Sequence, residues 1–492
     1  EVVGRVSSDG IDFGAVLEYA LSRGRPSLRQ LTFSQRAGLI KEMSKILRQN
    51  REELLELSRL NNGTTKGDGA FDVDGASGTL AYYAGLGRGL GESNFIVEGD
   101  RLQLSREGSF TAQHFLAPRT GVAVQINAFN FPDWGFAEKA ACALLAGMPV
   151  VTKPATSTAL LAERCVELIA DAEILPQGAL QLVCGSLGDL LNRLGSQDVV
   201  AFTGSAETAE RIRTQLGTRG ARARLNIEAD SLNAAVLAPD VSPDSPTMEL
   251  FIREVIREMT QKAGQKCTAV RRILVPAELV DKVEDLLRTR LDTVVVGDPG
   301  HEDVTMGPLA TKSQLRAAED GVAVLTAEGE IVVGTGRRVD GVGVDTGKGY
   351  YFAPTLIRCN EALSDAEVHR TEVFAPVASL IPYDGGAEQA AEINGMAEGT
   401  LVTSLYSDDL SWVEDFARAG AATTGRLYLG SADSMHEMPG SGAALPQTLH
   451  GGPGRAGGGE ELGGIIGIGL YMQRLAIQGS PAALDIVADS SQ

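Results

Sequence analysis

From residue 121 onward the chain alternates short apolar runs with longer amphipathic segments, and that alternation restricts its fold more than any other feature. Residues 121–126 read as a strand, 134–145 as a helix and 149–152 as a strand again; 160–171 then has helical spacing, 180–183 and 199–202 are strand-like, and 206–216 is helical. Repeated βαβ units of this kind predict a largely parallel, Rossmann-type sheet covered by helices on both faces. A second α/β region follows, with a helix over 248–262, a strand over 272–275 and a helix over 278–291. The Pro- and Asp-rich stretch 239–246 marks the expected boundary between the two. Ahead of the alternation, residues 33–60 carry apolar side chains three and four apart, a helical opening. Residues 430–464 are dense in glycine, which composition alone reads as readily as a flexible linker as an ordered loop.

At 492 residues the chain is too long for one core, so two or three domains are expected. With 64 acidic against 44 basic residues its formal net charge is −20, and no basic stripe offsets it. Nucleic acid and anionic membranes are therefore repelled. The cysteines at 142, 165, 184, 267 and 359 are widely spaced, odd in number and without CxxC or metal-ligand spacing, which predicts a reducing compartment and no metal site. No 18-residue apolar run and no leader pattern is found, so a soluble, cytoplasmic protein is expected. The first residue is Glu1 rather than Met, which leaves room for a preceding piece.

Several short segments carry chemistry, each weakly when taken alone. In the stretch 261–268, Gly264 permits a close backbone approach, and polar Gln265 and Lys266 are expected to keep Cys267 out of an apolar core, in surroundings that stabilise a thiolate. A lone cysteine is more often a small buried hydrophobe. Gly204 and Ser205 lie where a strand gives way to a helix, so free amides there could meet a pyrophosphate, though plain helix caps look the same. Lys153 follows a strand directly, at the sheet end where α/β folds bind ligands, or is simply a solvated strand-end lysine. Asn130 offers a side-chain amide to an oxyanion or to a turn. Glu228 at a strand end can activate water or lie on the surface.

Together these segments resemble the aldehyde dehydrogenase superfamily, in the same order and over nearly the whole chain. The matches are Asn130 to Pro132, Lys153-Pro154, Thr203 to Ser205, Glu228, Gly264 to Cys267, and Glu372-Val373-Phe374-Ala375-Pro376. The resemblance implies that Cys267 attacks an aldehyde, that Asn130 and the Cys267 amide hold the oxyanion, and that Glu228 activates the water that releases the acid. It also implies that Lys153 and Glu372 hold the cofactor riboses, with Thr156, Gly204, Ser205 and Phe374 beside them. The glycine-dense tail falls into register with the family's loop near the substrate mouth, and the linker reading loses.

Three departures matter. Thr156 stands where NAD-preferring members carry Glu; without that carboxylate a 2′-phosphate is not repelled, which favours NADP over NAD. Asp230 adds a carboxylate close to Glu228 and would raise its pKa if it points inward. His450 replaces an aromatic residue of the substrate channel and suggests a less purely apolar substrate. These departures resemble the ring-cleavage semialdehyde dehydrogenases of aromatic catabolism. They imply a CoA-linked aldehyde such as 3,4-dehydroadipyl-CoA semialdehyde or 3-oxo-5,6-dehydrosuberyl-CoA semialdehyde. Some members of that group carry a hydratase domain after the dehydrogenase; ending at Gln492 without one leans toward the type that lacks it, or toward a truncated or split version of the other. A CoA-acylating dehydrogenase and a non-catalytic structural member are the rival readings; retention of Glu228 argues against the first, and of Cys267 with Glu228 against the second. The expected division is 1–108 with 119–247 for the dinucleotide, 248–429 for catalysis, 430–469 for the active-site loop, and a small β element, 109–118 with 470–492, that joins copies into a homodimer or larger homo-oligomer.

Overall fold

The computed structural model describes residues 2–218, 222–360 and 365–489. After the short helices Phe13–Tyr19 and Arg25–Arg29 come three longer ones, Phe33–Gln49, Arg51–Asn62 and Lys66–Gly89. The first of the three begins at a reciprocal cap in which the Thr32 hydroxyl accepts from the Gln35 amide at 3.3 Å and Gln35 Oε1 accepts from the Thr32 amide at 3.0 Å. Two strands follow, β1 (Ile96–Gln103) and β2 (Thr111–Pro118).

Then come β3 (Ala123–Ile126), β4 (Val150–Lys153), β5 (Leu180–Leu182), β6 (Val199–Thr203) and β7 (Arg224–Glu228). They form an all-parallel sheet in the order β5-β4-β3-β6-β7. Central β3 is buried at every residue, as a strand covered on both faces must be. The helix Trp134–Leu145 after it is buried almost all round, including Glu138 and Lys139. The chain runs from β3 out to β5, then returns to start again at β6, so the crevice beyond the carboxyl ends of β3 and β6 is the switch point where such sheets bind ligands. Register places Ile126, Lys153 and Phe202 side by side there, and Thr203 beside Glu228.

A second sheet comprises β8 (Ala234–Leu237), β9 (Arg272–Pro276), β10 (Gly329–Val333), β11 (Thr355–Cys359), β12 (Val377–Tyr383), β13 (Thr403–Tyr406) and β14 (Leu427–Gly430), in the order β10-β11-β12-β9-β8-β13-β14. Because β7 belongs to the first sheet and β8 to the second, the chain crosses between them within residues 229–233. The expected boundary at 239–246 falls after the crossing; that stretch is instead the loop and the Ser245 cap that start the helix Pro246–Thr260, with proline in its first turn.

The glycine-dense region is ordered. It contains the ribbon β15 (Leu449–Gly451) and β16 (Glu460–Leu462), and its backbone lies along β7, with Ala229 N donating to Ala456 O at 3.0 Å and Gly459 N to Ile227 O at 3.0 Å. A Cβ on Gly459 would stand 2.3 Å from Ile227 O, so no larger residue fits that approach. Finally β17 (Met472–Gly479) pairs with β2, giving the antiparallel sheet β1-β2-β17. The range expected for the small β element omitted β1, which the division assigned to the dinucleotide unit; an exposed strand without alternating burial gives no apolar pattern to read. Its last residues, 490–492, lie outside the described residues.

Candidate active site

Cys267 reaches the site by a backbone contortion. After Thr260 the chain turns through Lys262 and Ala263 at φ 54° and 52°, a left-handed conformation that costs non-glycine residues energy. Gly264 follows at φ 68°, where a Cβ would meet Ala375 O at 2.4 Å. The loop is then pinned. Asn233 Nδ2 donates to the carbonyls of Cys267 at 2.7 Å and Ala269 at 3.0 Å, and the Arg271 guanidinium donates to those of Gly264, Lys266 and Ala375. The expectation that Gln265 and Lys266 hold the cysteine in polar surroundings is corrected. Lys266 is fully buried and turned away, donating to Glu258 at 2.6 Å and Gln261 at 2.8 Å, because a buried ammonium must find oxygen partners.

Two cavities meet at Cys267. The wider, about 550 Å³, is lined by every residue expected at the cofactor and catalytic positions: Asn130, Lys153, Thr156, Gly204, Ser205, Glu228, Cys267, Glu372 and Phe374. The narrower, about 40 Å³, shares Asn130, Glu228 and Cys267 and adds Phe71, Phe131, Trp134, Glu138, Lys139 and His450. A thiol placed between two cavities can face a different molecule in each.

The wide cleft suits an elongated polar ligand. Lys153 ends β4, and partial burial pulls its pKa down. Glu372 accepts from Ser231 N at 3.3 Å and stands 3.6 Å from Arg271; burial pushes its carboxyl up to about 7, Arg271 opposing and Asp230 adding to the push. Its Oε1 and the Thr203 hydroxyl are buried without hydrogen-bond partners, polar atoms in want of a ligand. Gly204 keeps the floor open, since a Cβ there would strike the Phe202 ring at 2.6 Å. Phe374 meets Phe129 edge-on at 5.8 Å and carries Arg271 on its face. The turn at Gly204 and Ser205 is more committed than expected. The Gly204 amide donates to Glu228 O at 3.1 Å and the Ala206 amide to Asp230 Oδ1 at 2.9 Å, so two of its amides are taken. Asp230 thus points at a helix amino end, where a carboxylate is favoured, rather than at Glu228.

Glu228 contacts His450 instead, Oε1 to Nε2 at 3.2 Å, and the same nitrogen lies 3.8 Å from Cys267 Sγ. Burial alone would push Glu228 up, but the neighbouring imidazole and Lys139 hold it well below the usual carboxylate range. Burial would lower His450, and Glu228 raises it instead. Burial and then Glu228 push the Cys267 thiol well above its usual value, so the thiolate is not the resting form. Sequence reasoning missed the groups behind this pair. Lys139 bridges Glu138 at 2.9 Å and Glu461 at 3.1 Å, and Glu461 accepts from Asn226 at 3.0 Å. Two charges within an otherwise apolar helical segment were a readable signal; Glu461, on a remote ribbon, gave none.

The model of the aldehyde dehydrogenase family matches residues 2–463. A 3,4-dehydroadipyl-CoA semialdehyde dehydrogenase from Aromatoleum evansii is 44% identical over 453 residues, 92% of this chain and 88% of that protein. A hydroxyisobutyraldehyde dehydrogenase from Mycolicibacterium austroafricanum is 30% identical over 87% of this chain and 78% of that one. Betaine aldehyde dehydrogenase from Staphylococcus aureus, solved with NAD+, superimposes with a TM-score of 0.80 at 25% identity, covering 95% of this chain and 87% of that one.

Proposed function

The chain belongs to the aldehyde dehydrogenase family, and from that premise we propose that it oxidises a CoA-linked semialdehyde to the acid with NADP. The observation that carries the reading is the place of Cys267 between a long polar cleft and a narrow aromatic channel, with Glu228 and Asn130 on the shared wall. Cys267 Sγ attacks the aldehyde carbon, and the oxyanion is held by the Asn130 side-chain amide and the Cys267 backbone amide. A nicotinamide dinucleotide bound in the cleft would supply the hydride acceptor. Lys153 and Glu372 would hold its riboses and Gly204 and Ser205 its phosphates, with Phe374 beside it. Glu228 then takes a proton from water, which attacks the thioester and releases Cys267. Retention of this buried base supports hydrolysis over transfer to CoA.

Thr156 and Lys153, together on the cleft wall and free of a neighbouring carboxylate at position 156, support NADP. The CoA-linked substrate rests on the 44% identical relative. Assembly as a homodimer or larger homo-oligomer is supported by the sheet β1-β2-β17, whose strand β17 is an edge with most of its residues exposed. Among the described residues no helix is long and apolar enough to cross a membrane. The test is absorbance of the reduced nicotinamide with a medium-chain aldehyde, its CoA-linked counterpart and each cofactor. Turnover should be abolished in Cys267→Ala, more than about 10³-fold, with cofactor affinity nearly intact. Silence with every aldehyde, or a Cys267→Ala enzyme that still turns over, overturns the reading.

A further inference from the structure

The narrow cavity holds a group that the aldehyde-oxidation scheme above leaves without a task. His450 sits on β15, locked by its register opposite Glu461 on β16, and is 4% exposed. Its Nε2 faces two acids at once, Glu228 Oε1 at 3.2 Å and Cys267 Sγ at 3.8 Å. Resting on the reading of Cys267 as nucleophile, we propose that His450 is a further catalytic residue, the cation of the site: its Nε2–H pairs with Glu228 while Cys267 is a thiol and turns to Sγ once Glu228 has taken the thiol proton.

The other cations near the thiol are committed elsewhere. Lys139 is held by Glu138 and Glu461, and Lys266 by Glu258 and Gln261. Arg271 is spread over three backbone carbonyls and Glu372, and Arg426 donates to the carbonyls of Ser441 and Ala443. Among the described residues His450 is the one cation-capable side chain in hydrogen-bond contact with Sγ. A thiolate formed here without it would be an uncompensated charge on a part-buried sulfur, and that is unfavourable.

The step balances. The S–H bond breaks, an O–H bond forms on Glu228, and the imidazolium keeps its proton, so net charge is unchanged while the negative charge moves from carboxylate to sulfur. Glu228 later gives up that proton as one of those the oxidation releases and is again free for water. The groups facing His450 favour its charged form: Glu228 from β7 and Glu138 from the helix Trp134–Leu145 raise it, Glu228 most, while burial and Arg426 oppose. Pairing lost as pH rises through the His450 value would leave the thiolate unsupported.

The test needs neither aldehyde nor cofactor, so it stands or falls apart from the reaction itself. Alkylation of Cys267 by iodoacetamide, located by mass spectrometry, is followed from acid to alkaline pH in the full-length protein. His450→Phe should react at least about tenfold more slowly at neutral pH, with its profile moved up by about one unit or more, because one pH unit is a tenfold change in thiolate. His450→Gln keeps the size and a hydrogen bond but not the charge, and should follow Phe; it decides the matter if the Phe variant does not fold. Wild-type rate and profile in either folded variant overturn the proposal. An enzyme that oxidises no aldehyde yet shows these shifts overturns the proposed function and leaves His450 as the thiolate's partner.

Discussion

The two cavities that meet at Cys267 are built on different principles. The wide cleft takes its walls from strand ends and the turns that follow them: Lys153 at the end of β4, Thr156 just beyond it, Gly204 and Ser205 after β6. The narrow cavity is walled by Phe71, Phe131 and Trp134, mutually edge-on at 5.2 to 5.9 Å, and backed by two buried sets of charges, Glu228 with His450 and Lys139 with Glu138 and Glu461. A cleft of the first kind binds and can be retuned one residue at a time. A buried network of the second kind does chemistry, and each member depends on the others.

The largest effect that should expose this difference is Glu228→Gln. Loss of a general base slows its step by about 10²- to 10⁴-fold, and the expected signature is a pre-steady-state burst of reduced cofactor followed by a slow phase. Absence of a burst, with hydride transfer slowed as much as acid release, would mean that Glu228 acts on the thiol proton alone or is purely structural. A matched pair of lysines gives the next contrast. Lys139→Met leaves the buried Glu138 and Glu461 without their cation and should cost roughly 3 kcal/mol of stability in denaturant unfolding. Lys153→Met, on the cleft wall, should cost less than about 1 kcal/mol and show instead in weaker dinucleotide binding. Equal stability losses would mean that the two regions are not built differently.

The same difference decides what the sequence could reveal. Motifs of the wide cleft are local: a strand, a turn and a helix start lie within a few residues, so Lys153, Gly204, Ser205 and the alternation that positions them are visible as text. Cys267 and Glu228 were legible by their segments, not by their surroundings, which is why Lys266 was expected beside the thiol and is found paired with Glu258. The narrow cavity joins helix Lys66–Gly89, helix Trp134–Leu145, the Cys267 loop and the ribbon β15-β16. His450 and Glu228 touch across more than two hundred positions, and no periodicity records such a contact. The boundary was misplaced for a related reason: proline and aspartate mark a turn, whereas the passage between sheets at 229–233 is held by Ser231 and Asn233 hydrogen-bonding to Leu401 and Val402.

A smaller effect tests the cleft alone. NADP should be preferred over NAD by at least about tenfold in kcat/KM, roughly 1.4 kcal/mol, a modest demand for charged hydrogen bonds from Lys153 and Thr156. Thr156→Glu should erase or reverse that preference with unfolding unchanged, as expected of a site tunable one residue at a time. A mutant whose preference does not move would show that the 2′-phosphate is read elsewhere.

The smallest expected effect separates the two regions by pH. Glu372 in the cleft and Glu138 behind the narrow cavity are both pushed up to about 7, burial being the main cause in each, while unfolded glutamates ionise near 4.3. Between those values the folded chain holds protons that the unfolded chain has lost, so stability falls as pH rises, and the penalty is complete above about 7. Asp230 adds to the push on Glu372 but is not among the groups acting on Glu138. Asp230→Asn keeps a side-chain oxygen for the Ala206 amide and removes the charge. It should therefore leave stability at pH 5 nearly unchanged relative to the starting chain and raise it at pH 8 by less than about 1 kcal/mol, a shift of about 1 °C in a chain of this size. Thermal unfolding at the two pH values reads this directly. A variant displaced equally at both would mean that Asp230 acts through the helix cap alone, and that the cleft, like the narrow cavity, owes its raised carboxyl to burial rather than to a neighbour that one substitution can silence.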